Sequence, residues 1–233
     1  MPVTRTFGTE LSPSFDEHVR QWIASGSPTA VPRVAASVLL VRDGGQGPEV
    51  FMQRRASTMA FAASMVVFPG GRVDPADDET DIDEAVLAAQ AAQLGLTAEP
   101  ARSVLGAAVR EVEEECGVRV EVADLRPRGR WLTPAMEPRR YDTWFFAARM
   151  PAGQRALGET AETEAEGWGR PRDILAAGEA GTLRLMPPTI VNLEQLAGFA
   201  SVGEFLADVP QMDQVEPVIV ATADGYVMET TLP

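Results

Sequence analysis

The residues of this 233-residue chain best equipped for chemistry are three glutamates in one short segment. Residues 107–118 read Ala-Ala-Val-Arg-Glu-Val-Glu-Glu-Glu-Cys-Gly-Val. At about 100° per residue, Glu111, Glu114 and Glu115 fall within a sector of about 100° on a helix. Leu105, Ala108, Val109, Val112 and Cys116 gather on the adjacent face, and Glu113 points away from both. Like charges at i, i+3 and i+4 destabilise an isolated helix by roughly 0.2–0.5 kcal/mol per pair. Arg110 alone does not balance them, whereas a hard divalent cation (Mg²⁺, Mn²⁺ or Ca²⁺) would. Without a cation, the same pattern describes an acidic, solvated helix face.

Composition removes several rival chemistries. All twenty basic residues are Arg, so nothing can form a lysine Schiff base, anchor pyridoxal phosphate or supply a P-loop Lys. One His, His18, and one Cys, Cys116, leave no His-based or Cys-cluster metal site and no intrachain disulfide. A net charge of −14 opposes a nucleic-acid footprint. No apolar run approaches the roughly 18 residues of a membrane span, and Met1 to Glu10 lacks a signal pattern, so the cytoplasm is the expected compartment.

The elements that must hold the glutamates can be read from periodicity and punctuation. Residues 12–25 predict an amphipathic helix, 33–42 a buried strand with 49–54 as its hairpin partner, and 65–68 an apolar stretch running into Pro69-Gly70-Gly71. An acidic segment, 74–84, precedes an Ala-rich helix at 83–94 ended by Gly95, then a helix at 100–116 ended by Gly117. Strands are expected at 118–124, 128–134, 141–149, 215–222 and 225–232. Residues 151–167 read as an acidic, turn-rich stretch, with helices from Pro171 and between 187 and 208. The class is mixed α/β, packed in layers.

Arg110 to Val118 resembles the second half of the Nudix box, Arg-Glu-apolar-x-Glu-Glu-x-Gly-apolar, and Phe68-Pro69-Gly70-Gly71 resembles the strand and turn leading into the first half. Arg110 follows Gly71 by 39 positions where the usual box has 14, so about 25 residues are inserted. The first-half acid is left open: Asp77 stands at its offset from Gly71, Arg102 at its offset from Arg110, and Glu99 is a further candidate. An interrupted box resembles the Nudix subgroup that includes peroxisomal-type coenzyme A diphosphatases. Trp131 to Pro134, Arg140 to Phe146, Glu164 to Trp168, Pro171 to Leu175 and Pro187-Pro188 extend the likeness. It implies a Nudix-type α/β/α sandwich with a mixed sheet and a helical C-terminal extension, and the expected layout is an N-terminal helical segment at 1–30, a hydrolase domain at 31–182 and the extension at 183–233. The insertion, at about 77–101, would form a helical flap on one rim of the site.

The activity that the resemblance implies is metal-dependent hydrolysis of a diphosphate in a small nucleotide-derived substrate. Mg²⁺ or Mn²⁺ would be held by Glu111, Glu114, Glu115 and the Gly71 carbonyl, with the general base left open among the glutamates. Arg110 would fix a box carboxylate, and Glu164 or Glu162 could add a ligand or base. Arg54, Arg55, Arg139 and Arg140 are the substrate-binding candidates. The coenzyme A signature is half present, since Ala60 and Ser64 replace an expected Arg and Gly. Coenzyme A or an acyl-coenzyme A is the first reading; ADP-ribose or a dinucleotide, or a non-catalytic nucleotide-sensing module, are the alternatives. The expected partner is a small diphosphate, with neither nucleic acid nor membrane, and a homodimer is compatible with the chain.

Overall fold

The computed structural model describes residues 3–7, 15–57, 62–157 and 163–232. In chain order the elements are β1 (Val3–Phe7), α1 (Phe15–Ser25), β2 (Arg33–Gly44), β3 (Gly47–Arg55), β4 (Val66–Val67) and β5 (Gly70–Arg72). A 3-10 turn, Pro75–Glu79, leads to α2 (Glu84–Leu94), α3 (Ala98–Cys116), β6 (Arg126–Leu132), β7 (Tyr141–Arg149) and β8 (Thr163–Gly169). Then follow α4 (Pro171–Glu179), α5 (Pro187–Ala197), α6 (Val202–Ala207), β9 (Gln214–Val215), β10 (Val218–Thr222) and β11 (Gly225–Leu232).

The main sheet is mixed, in the order β4-β3-β2-β7-β6-β9, with β5 also paired to β2 and β8 to β3. β2 is its spine. Its second half pairs with β3 in the hairpin, Val41 opposite Val50, while its first half takes β5 instead, Ala36 opposite Gly71. The parallel strand β7 lies along its other side, from Arg33 opposite Tyr141 to Val41 opposite Arg149. Side chains alternate faces along a strand, so β2 and β7 supply two cores. Val38, Leu40, Trp144 and Phe146 pack towards α2 and α3 with Leu87, Leu105 and Val112. Leu39, Val41, Phe145 and Ala147 face α1 and α4–α6 with Val19, Ile174, Leu193 and Phe205. Helices cover both faces, which is the sandwich that the sequence predicts. A smaller sheet, β1-β11-β10, stands beside it.

Helix punctuation follows the residues. The Asp83 carboxylate caps α2 by accepting from Ala85 and Val86 amides at 2.9 and 3.1 Å. Gly117 ends α3 in the left-handed region at φ 64°, its amide donating to the Glu113 carbonyl at 2.9 Å.

Three expectations change. β1 and β8 were not legible as strands, and β8 replaces part of the expected turn-rich stretch. Residues 118–121 alternate buried and exposed like a strand yet pair with none among the described residues; the run turns into a 3-10 turn at Val122–Asp124. The Gln90 amide holds that turn, donating to the Val122 and Leu125 carbonyls at 2.9 and 3.0 Å. The acidic and Ala-rich segment is no flap. Leu87, Ala91 and Leu94 of α2 bury into the core against α3, since an isolated Ala-rich helix this short holds only by packing.

Candidate active site

α3 carries the three glutamates to the mouth of a cavity of about 970 Å³. Its buried face, Leu105, Ala108, Val112 and Cys116, is clamped in the core, so the carboxylate face has a fixed direction. Burial pushes the Cys116 thiol well above its ordinary pKa, which leaves it a small apolar side chain. The Pro69-Gly70-Gly71 turn arrives from β4 and β5. The Pro69 carbonyl accepts from the Val38 amide at 2.8 Å and from Ser37 Oγ at 3.1 Å. Gly70 sits so close to β2 that a Cβ would overlap the Ala36 carbonyl, and one on Gly71 would overlap the Glu111 carboxylate. Only glycines let the backbone come this near. The Gly70 amide donates to Glu115 Oε2 at 2.9 Å, tying turn to helix.

Arg110 organises the acids. It grips Asp77 with two bonds, Nε to Oδ1 at 2.8 Å and Nη2 to Oδ2 at 3.0 Å. Nη1 donates to Glu111 Oε1 at 2.9 Å and to Glu114 Oε2 at 3.0 Å, and Nη2 reaches the Arg72 carbonyl at 3.1 Å. These partners keep the guanidinium charged. Burial raises the Glu111 pKa, opposed by Arg110. Glu113 stands apart, paired with Arg119 at 2.6 Å on the exposed side. Of the three first-half candidates, Asp77 is the one that meets Arg110. It is 2 % exposed and holds the 3-10 turn by accepting from the Asp74 amide at 2.8 Å. Arg102 donates instead to the Thr80 carbonyl at 2.6 Å.

The remaining expectations divide. Arg55 lines the cavity; Arg54 and Arg139 do not. Arg140 is buried and committed to structure, donating to the Thr133 and Ala30 carbonyls at 2.9 and 3.3 Å and to Glu216 at 2.6 Å. It ties the β6–β7 loop to the segment before β2, which removes it from the substrate wall. Glu164 lies on β8 outside the cavity and accepts from the Ser57 amide at 2.7 Å, a bond that lowers its pKa. Glu162 and Ala60 lie outside the described residues. None of residues 75–98 lines the cavity. Sequence reasoning missed much of the rest of the lining: Trp131, Met136 and Glu137 from the β6–β7 region, His18 from α1, Arg184 before α5. No local spacing links them.

Among the described residues, no three His, Cys, Asp or Glu side chains converge as a ready-made metal cage. The donor chemistry nevertheless fits a hard cation: Glu111, Glu114 and Glu115 border one cavity with the Gly71 backbone, and all their atoms offered are oxygens.

Residues 94–187 match the family model of the NUDIX domain. The match takes in α3 and its glutamates but begins after the Gly70-Gly71 turn, whose docking on the helix is known from the structure. A Nudix hydrolase from Alicyclobacillus acidocaldarius is similar at 25% identity over 77% of this chain and 97% of that one, with a TM-score of 0.64. A MutT Nudix hydrolase from Burkholderia pseudomallei is 23% identical over 71% and 98%, TM-score 0.46. The Nudix domain of Shewanella oneidensis NrtR, complexed with ADP-ribose, is 14% identical over 75% and 94%, TM-score 0.49. Among curated proteins none matches. The Nudix match and the similarity to the Alicyclobacillus Nudix hydrolase support a hydrolase acting on pyrophosphate bonds, and hydrolases of that family generally use divalent cations. No helix among the described residues is long and apolar enough to cross a membrane.

Proposed function

We propose that this hydrolase cleaves the diphosphate of coenzyme A or an acyl-coenzyme A, giving 3′,5′-ADP and a phosphopantetheine. The observation that carries the diphosphatase chemistry is the docking of Gly70 and Gly71 on Glu115 and Glu111 at one end of a cavity of about 970 Å³. That volume is at the upper end of ordinary ligand pockets, which suits a long substrate. Arg55, retained from the coenzyme A signature, lines it.

Glu111, Glu114, Glu115 and the Gly71 carbonyl would hold Mg²⁺ or Mn²⁺, which when bound neutralises the phosphates, orients them and lowers the pKa of the attacking water. Arg110 presents Glu111 and Glu114 in fixed rotamers, and Asp77 fixes Arg110. A carboxylate of this set takes the water proton as the new P–O bond forms and the bridging P–O bond breaks. Trp131, Met136 and Phe145 give the same cavity an apolar lining.

Turnover of coenzyme A, acetyl-coenzyme A, ADP-ribose and a dinucleotide, measured with Mg²⁺ or Mn²⁺ and with products weighed by mass spectrometry, tests the reading. Chelation should abolish turnover and either ion restore it. A kcat/KM highest for ADP-ribose would overturn the coenzyme A assignment and favour the alternative.

A further inference from the structure

The cations around the cavity are unequally engaged. Arg110 is committed to Asp77, Glu111, Glu114 and the Arg72 carbonyl, and Arg72 pairs with Asp74 at 2.8 Å. Arg184 lines the same cavity, is exposed, and its guanidinium meets no carboxylate among the described residues. Its backbone is anchored all the same. The Val66 amide donates to the Arg184 carbonyl at 2.9 Å, and Val66 bridges Leu185. Val66 also pairs with Arg54 of β3, and the Arg55 amide donates to the Met65 carbonyl at 3.0 Å. The two-residue strand β4 thus clips the turn before α5 to the end of β3. It brings Arg55 and Arg184, 129 positions apart in the chain, onto one wall.

The strand order sets the opposite end. β4 and β3 flank β2 on one side, β7 and β6 on the other. The β6–β7 side brings Trp131, Met136 and Glu137 to the cavity, an apolar surface bearing an acid. An anionic group on the substrate is disfavoured at that acid-bearing surface and is attracted to the arginine wall.

We propose that Arg184, beside Arg55, is an anion subsite that receives a phosphomonoester of the substrate distinct from the two phosphates joined by the scissile bond. A planar guanidinium presents paired donors to phosphate oxygens, which an exposed Arg on an anchored backbone supplies without disturbing the core. The assignment rests on the diphosphatase reading above and sharpens it, because the adenosine 3′-phosphate of coenzyme A is such a group.

The test compares coenzyme A with dephospho-coenzyme A in the wild type, Arg184→Gln, Arg184→Lys and Arg172→Gln, the last an exposed arginine outside the cavity. The expected result is a fall of about tenfold or more in the ratio of the two kcat/KM values for Arg184→Gln. Arg184→Lys should recover part of it, and Arg172→Gln should keep the wild-type ratio. An unchanged ratio in Arg184→Gln overturns the subsite. Calorimetry with 3′,5′-ADP and 5′-AMP separates this proposal from the substrate reading. The wild type should prefer 3′,5′-ADP, and Arg184→Gln should close the gap. If neither coenzyme is hydrolysed while that gap depends on Arg184, the subsite stands and the coenzyme A reading falls. A gap that persists in Arg184→Gln, or no gap in the wild type, sinks the subsite.

Discussion

The two walls of the cavity are built on different plans. One is made of the Pro69-Gly70-Gly71 turn and a six-residue stretch of α3, joined by the Gly70–Glu115 bond, with Arg110 pinned to Asp77 of the 3-10 turn. The other gathers Phe15 and His18 from α1, Trp131 to Glu137 around the β6–β7 loop, Met186 to Thr189 at the start of α5, and Met228 from β11. Reaction chemistry needs a few donors at fixed spacing, which a helix and a tight turn provide locally. Recognition needs a shaped surface, and here it is assembled from segments far apart in the chain. Changes on the first wall should therefore act on rate, and changes on the second on stability or choice of substrate.

The largest break in that contrast would come from the α3 carboxylates. Glu114→Gln and Glu115→Gln should each lower kcat by about 10²–10⁴-fold, the range for losing an acid–base group, with the fold kept. Glu113→Gln, whose parent pairs with exposed Arg119, should be nearly silent. Steady-state kinetics and circular dichroism decide it, and equal losses at Glu113 and Glu114 would refute the division of faces.

Next is Asp77. Its carboxylate is buried under Arg110, so Asp77→Ala should destabilise by about 3 kcal/mol, the low end for a broken buried ion pair. Arg102→Ala should cost less, since it loses one bond to a carbonyl. Denaturant melts compare them; equal effects would mean that Asp77 is not the anchor of the catalytic arginine.

Outside the cavity, Arg140→Ala should lower stability by about 1–3 kcal/mol through its lost bonds to part-buried carbonyls and Glu216. The substrate ranking should survive. A change in ranking with unchanged melting would return Arg140 to the binding surface.

The smallest effect concerns Glu137, whose pKa is raised first by burial and only partly lowered by His18. His18 Nε2 stands 3.9 Å away. A carboxylate raised in the folded state favours folding when protonated, and that contribution fades as pH rises through its folded pKa. Glu137→Gln should therefore gain relative to wild type between pH 4 and pH 7, by under about 1 kcal/mol for a partly exposed pair. Thermal melts at both pH values measure the gap; a constant gap would place Glu137 in a water-like setting.

Much of the first wall was readable in the chain. The i, i+3, i+4 spacing of Glu111, Glu114 and Glu115, the separate direction of Glu113 and the Gly117 stop are local properties, and a helix realises them wherever it packs. The strand over 141–149 was legible as well, because a buried strand is apolar on both faces. β8 was hidden because Glu164 and Glu166 mask any apolar alternation in a strand at the side of the sheet.

What the sequence determined alone is the set of carboxylates, the absence of lysine chemistry and the layered α/β class, since each depends on residue type or short-range period. Tertiary structure decided which acid meets Arg110, and it chose Asp77, because a 3-10 turn packed on α3 carries that side chain across 33 residues of sequence. It likewise withdrew Arg140 into the scaffold and delivered Arg184 to the cavity. Arginines of one type and charge differ only in what surrounds them, and surroundings are set by which strands pair.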